Sequence, residues 1–116
     1  MANAFKNAGV AIGATATTIY QTPIGVNSSV VHSIYIANID GTNNATVNIE
    51  VSTDGAGSGS FFHVAKTVQV PADSSLILDK PVNLFNTNNA SAGDLMRATA
   101  SAASRLEAFI SILEIS

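Results

Sequence analysis

Residues 94–116 read "DLMRATASAASRLEAFISILEIS", and the fold class turns on whether they form one helix or two strands. As a helix, Asp94 would be the N-cap, and Leu95, Ala98, Ala102, Leu106, Phe109, Ile110 and Leu113 approximate helical spacing. Ala, Leu, Met and Arg are also good helix formers. As strands, the stretch splits into "LMRATAS" and "RLEAFISILEI", with a turn near 102–104. In the second run Leu106, Ala108, Ile110 and Ile112 alternate against the rest, the period of a strand with one buried face. Periodicity alone leaves both readings open, so the rest of the chain has to be weighed.

Upstream, the pattern is that of short strands. "TTIYQTP" (17–23) favours a strand through Thr, Ile and Tyr, and Pro23 demotes its end to an edge or turn. "GVNS" (25–28) is turn chemistry. Within "SVVHSIYIANI" (29–39) both faces are apolar for much of the length, as in a central strand covered on two sides. "ATVNIEVST" (45–53) alternates: Val47, Ile49 and Val51 face one way, Thr46, Asn48 and Glu50 the other. Between these two runs lies Asp40-Gly41-Thr42-Asn43-Asn44, so 34–52 reads as a hairpin. "DGAGSGS" (54–60) is a Gly/Ser loop. "FFHVAKTVQVP" (61–71) reads as a strand with Phe62, Val64, Val68 and Val70 on one face, interrupted by Lys66. "LILDKPVNLF" (76–85) has Leu76, Leu78, Val82 and Leu84 in phase, with Pro81 marking an edge or bulge, and 86–94 is a loop. Short strands recurring about every 8–12 residues favour an all-β sandwich or barrel, which tips 94–116 toward strands.

The chain has 116 residues, which fits one small domain, and no tandem repeat is visible. Charged residues make up 11%, against about 25% in an ordinary globular domain. A surface this weakly charged resists association poorly, which suggests that partners cover part of it. The net charge is −3 and the five Lys and Arg are dispersed, so the clustered cations that nucleic-acid binding requires are missing. There is no Cys, hence no disulfide or thiolate metal site. No run approaches the roughly 18 apolar residues of a membrane span, and "GVAIGATA" is a poor signal-peptide core. A soluble protein made in the cytoplasm is expected.

Candidate chemical groups are few. His32 sits in an apolar run and His63 beside Phe61-Phe62; a metal or catalytic role would need a carboxylate beside one of them, and a structural or interface role is the reading preferred. Asp40, Asp54, Asp73 and Asp94 stand beside turns, where Asp hydrogen-bonds its own backbone, and no calcium-loop run exists. "GAGSGS" (55–60) lacks the Lys and the strand-to-helix context of a phosphate loop. No nucleophile elbow or Cys nucleophile is present, and a glycan hydrolase would need two positioned carboxylates. "NSS", "NAT" and "NAS" at Asn27, Asn44 and Asn89 read as chance glycosylation matches. No catalytic, cofactor or metal residue is assigned. The expected assembly contacts are Phe5 and Lys6, on a short N-terminal arm placed over 1–16, and Thr46, Asn48 and Glu50 on the polar face of 45–53. Such an arm frays in a monomer and lies across a neighbour in an assembly. On this reading, deleting residues 1–9 weakens assembly and leaves the domain folded.

The motifs "MANAFKNAGVAIG", "TTIYQTP", "IYIANIDGTNNATVNIEV", "VQVPADSSLIL", "AGDLMRATASA" and the closing "LEIS" carry a resemblance through their order along nearly the whole chain. In this order the chain resembles small virion structural proteins of tailed bacteriophages, common in phages of marine cyanobacteria. The resemblance implies a small β-sandwich particle protein and favours "GDLMRATAS" and "FISILEIS" as two strands. It brings no shared catalytic residues. The expectation is therefore an all-β, antiparallel sandwich over 17–116, jelly-roll or immunoglobulin-like, of about seven or eight strands. The expected role is a capsid decoration or cement protein on the virion surface, bridging capsomers. Its expected partners are the major capsid protein and copies of itself, with a trimer the expected stoichiometry because cement proteins often occupy three-fold positions. No cofactor, nucleic acid or membrane is expected to take part. The alternative is a tail, fibre or baseplate component with host-surface binding through loop tips at 54–60 and 86–94.

Overall fold

A computed structural model describes residues 3–53, 60–86 and 93–115. The Gly/Ser loop at 54–59, most of the 86–94 loop and the "NAS" match at Asn89 lie outside the described residues. The described residues form nine strands: β1 (Ala4–Ile12), β2 (Thr17–Gln21), β3 (Ser28–Asn38), β4 (Ala45–Ser52), β5 (Phe61–Val70), β6 (Ser75–Leu78), β7 (Val82–Phe85), β8 (Leu95–Ala100) and β9 (Leu106–Ile115).

The segment 94–115 forms two strands, not a helix. A turn centred on 101–105, with Ser104 at φ 64°, separates β8 from β9. Met96, Ala98 and Ala100 on β8, and Leu106, Ala108, Ile110 and Ile112 on β9, are all buried. Two rows of period 2 satisfy every one of these side chains, whereas a single helix could bury only one stripe of them. Each of the two strands becomes central to a different sheet.

Sheet A has the order β1-β9-β3-β6, with β7 also pairing β3; sheet B has the order β2-β8-β4-β5. All the pairings are antiparallel. The chain changes sheet at every connection except β4 to β5 and β6 to β7. Two four-position sheets wound in this way form a jelly roll, which decides between the two sandwich types expected. Position four of sheet A is filled by two short strands. β6 pairs residues 34–37 of β3 and β7 pairs residues 28–31, and the break between them holds Asp79, Lys80 and Pro81. Proline has no amide proton to give to a ladder, so the strand divides there.

The core lies between the sheets. Val31, Ile34, Ile36, Ile49, Val70, Leu84, Met96 and Ile110 contribute its fully buried large side chains, with Ile12, Val47, Leu106 and Ile112 beside them. Full burial of an aliphatic side chain of this size stabilises by about 1.5–3 kcal/mol.

Four sequence expectations change. The 34–52 segment is not a hairpin: β3 lies in sheet A and β4 in sheet B, and 39–44 is a crossover between layers. The buried Asn38 holds that crossover, donating from Nδ2 to Asn43 O at 3.0 Å and to Val70 O at 2.9 Å, and accepting from Asp40 N at 2.9 Å. β3 is covered on one face only; its outward Tyr35 is 41% exposed, because two layers leave each sheet one open side. On β5, Phe62 and Val64 are exposed and Ala65 is buried instead, because register shifts opposite Val47, Ile49 and Glu50, with Thr67 at φ 51°, break the alternation. Finally, residues 4–12 of the expected arm form β1, paired with β9 from Ala4↔Glu114 to Ile12↔Leu106 without a break.

Candidate functional site

The five expected contact residues fall on opposite sides of the sandwich. Phe5 and Lys6 stand on β1 at the edge of sheet A, whereas Thr46, Asn48 and Glu50 stand on β4 in sheet B. The two groups do not make one surface.

On sheet B the polar row is engaged with its own chain. Glu50 Oε1 accepts from Arg97 Nε at 3.2 Å, and its Oε2 lies 3.5 Å from His63 Nε2. The Arg97 guanidinium sits 3.4 Å from the centroid of the Phe61 ring, a cation–π contact. Cross-strand pairing explains this ladder, since Glu50 is directly opposite Arg97 on one side and His63 on the other. Asn48 Oδ1 accepts from Thr67 N at 2.6 Å and so supports the bulge in β5. The Thr46 amide donates to Ser101 Oγ at 3.0 Å, and its carbonyl accepts from Ser101 N at 3.0 Å. Sequence reading put His63 beside no carboxylate, because its partner is 13 positions upstream across a strand pair. Two ligands do not make a metal centre: among the described residues no three of His, Cys, Asp and Glu gather where they could hold an ion.

Sheet A presents a different outer surface. Phe5 is 81% exposed, with its ring centroid 6.1 Å from that of His32. Across β9, β3 and β6 run Phe109, Tyr35 and Ile77, one opposite the next in register and all exposed. Phe85 on β7 is exposed as well. Between β1 and this row is a hollow of about 380 Å³ whose lining includes Gly9, Ala11, Tyr35, Ala37 and Phe109. It exists because Gly9, Ala11 and Ala37 are small while the neighbouring outward positions are aromatic. The sequence held a signal for this face. In β9 the outward positions Phe109, Leu113 and Ile115 are apolar too, so the strand is apolar in both phases.

Lys6 does not point to this face. Its ammonium lies 3.4 Å from Glu114 Oε1, at the end of the sandwich interior. Glu114 is 5% exposed, and its Oε2 accepts from the Tyr20 hydroxyl. Burial, and then the bond to Glu114, hold the Tyr20 phenol well above its ordinary range, so it stays protonated at neutral pH.

No family model and no curated protein matches the chain. Solved structures do match it. The capsid chain VP2 of infectious bursal disease virus, from a subviral particle, is similar to it with a TM-score of 0.57 at 7% identity, over 97% of this chain and 32% of that one. A subunit of Bacillus endospore appendages, described as disulfide-linked pili, has a TM-score of 0.55 at 19% identity, over 99% and 87%. A pentameric capsid protein from metagenomic phage sequences has a TM-score of 0.50 at 19% identity, over 90% and 59%. The chain spans about a third of the bursal disease virus capsid chains it matches. At these identities the shared property is the fold.

Proposed function

We propose that the chain is a structural protein of a virion and acts by binding alone, as a decoration or cement protein that bridges capsomers of a phage head. The observation that carries this reading is the contrast between the two sheet surfaces. On sheet B the side chains of Glu50, Arg97 and His63 are engaged with one another, while sheet A leaves Phe5, Tyr35, Ile77, Phe85 and Phe109 open on one side. Exposed aromatic and apolar side chains gathered on one face mark protein contact surfaces. The similarity of fold to two capsid proteins and the order of the sequence motifs support the virion as the place of assembly. The partners are then the major capsid protein and further copies of this chain. Several weak contacts per particle would add through avidity and oppose expansion by packaged DNA. Labelled-antibody electron microscopy of intact virions tests the location: label over the head is expected, and label confined to the tail rejects the cement role.

A second reading is a subunit of a fibre or tail. It is favoured by one observation: the chain covers 87% of the spore-appendage subunit but only about a third of the bursal disease virus capsid chain. These 116 residues contain no Cys, so subunits of such a fibre would be held without disulfides. Saturable binding of the purified protein to empty expanded capsids separates the two readings, since a fibre subunit would not show it.

A further inference from the structure

We propose that β1 is the seam at which a second copy of this chain adds to sheet A, strand against strand about a two-fold axis, with Phe5 of each copy seated over Gly9 of the other. This deepens the self-association part of the proposed function and is independent of the capsid part.

Natural sheets guard their edges with charges, bulges, proline or short strands. Three of the four edge positions here are guarded. β5 carries Lys66, register shifts and the positive φ of Thr67. β2 has five residues and a register shift between Thr18 and Tyr20. β6 and β7 have four residues each and are separated by Pro81. β1 differs: it has nine residues, an unshifted register and no proline, and among the described residues its one ladder partner is β9. Its single charge, Lys6, is drawn to Glu114 at 3.4 Å and does not guard the edge.

The sequence of β1 is complementary in size to its own reverse. In an antiparallel pair centred on Asn7, Phe5 faces Gly9, Lys6 faces Ala8, Ala4 faces Val10 and Asn3 faces Ala11, so each larger side chain meets a small one. Shifting the centre to Lys6 would set two ammonium groups opposite each other, which is destabilising. Residues directly opposite point to the same side of a sheet, so Phe5 arrives on the outer face where Gly9 has no side chain. A Cβ at Gly9 would lie 3.4 Å from Phe109 Cδ1, so the incoming ring meets the edge of Phe109 beside the 380 Å³ hollow. Two Phe5 and two Phe109 rings bring on the order of 500 Å² of exposed aromatic surface to the seam. The paired strand edges add further area toward the roughly 1,000 Å² that a specific interface clears. Because the axis is two-fold, each copy supplies both knob and hole. The contact is a two-fold seam, distinct from any three-fold contact of the expected trimer.

The chain has no native Cys, so single cysteines report directly. Asn7→Cys on the axis is expected to give a disulfide-linked dimer under mild oxidation, and Thr18→Cys on the exposed part of β2 is expected to stay monomeric. By sedimentation, Phe5→Asp is expected to weaken dimerisation by about tenfold or more with an unchanged melting temperature. Overturning results would be a wild-type protein that stays monomeric through millimolar concentration, cross-linking at Asn7 no faster than at Thr18, or dimerisation by Phe5→Asp equal to the wild type. None of these outcomes bears on virion labelling, so failure of the seam and failure of the virion reading are separable.

Discussion

The hydroxyl of Tyr20 on β2 donates to Oε2 of Glu114 on β9 at 2.5 Å, closing one end of the sandwich across 94 positions of sequence. Ser29 Oγ on β3 is 2.9 Å from the same hydroxyl, and the Lys6 ammonium on β1 reaches the other carboxylate oxygen. Four strands from two sheets thus meet around one hydroxyl–carboxylate pair. Because the fold favours the protonated phenol, its contribution is complete below about pH 10, the ordinary tyrosine value, and is lost as pH climbs through the raised folded value. Tyr20→Phe is expected to be less stable than the wild type at pH 7 by about 1–3 kcal/mol, because a buried acceptor loses a donor. The gap should narrow above about pH 10, and urea titrations of both proteins at pH 7 and in that alkaline range measure it.

Asp40 gives the opposite pH dependence. Its carboxylate accepts from the amides of Thr42 at 2.8 Å and Asn43 at 3.0 Å and from the Asn43 side chain at 3.1 Å, with Arg105 Nε at 3.5 Å. These contacts, the Thr42 amide first, hold its carboxyl pKa below the ordinary carboxylate range. The stability it contributes is present above the unfolded value of about pH 4 and is lost as pH falls through the lower folded value. Asp40→Ala should melt below the wild type at pH 7, and the difference should shrink below about pH 4. A constant difference across that range would falsify the assignment.

Gly93 is packed against the end of β7. Its amide donates to Thr22 O at 2.8 Å, and an added Cβ would lie 2.5 Å from Phe85 O and 2.7 Å from Asn86 Cβ. The near atoms belong to backbone and a Cβ, so neither can rotate away. Gly93→Ala is expected to destabilise by about 1–3 kcal/mol, read from the shift of a denaturation midpoint. The same substitution at Gly25, where nothing lies within 4 Å, meets backbone strain from φ 88° but no clash.

Removing residues 1–9 strips most of β1 from β9. The sequence expectation was a domain that stays folded; the continuous pairing of Ala4 to Ile12 argues for a cost exceeding one large-to-small core change, roughly 2–5 kcal/mol. Circular dichroism melting of the truncated chain checks this. A melting temperature equal to the wild type would restore the arm.

The balance between sequence and tertiary structure is visible in particular strands. The inward rows of β4 and β9 were legible because a period of 2 with Val, Ile, Leu and Ala on one phase is a local property of the chain. The break at Pro81 was legible for the same reason, as a missing amide donor. By itself the sequence determined an antiparallel β domain, poor in charge and without a recognisable catalytic set. Sheet membership was not legible. β3 and β4 look like a hairpin because a turn-forming Asp40–Asn44 segment joins two strand-like runs, but pairing is chosen by burial across the whole molecule, and β3 pairs β9, from Asn38↔Leu106 to Ser28↔Ile115. The registers of β5 escaped the pattern because each bulge flips the phase of the residues beyond it. The candidate surface escaped it too: Phe5, Tyr35, Ile77 and Phe109 come from four strands spread over the chain, and only their lateral order in sheet A sets them side by side. Local periodicity decides which face of each strand is buried; the order in which strands lie together, and so the surface they present, is set by long-range hydrogen bonding and packing.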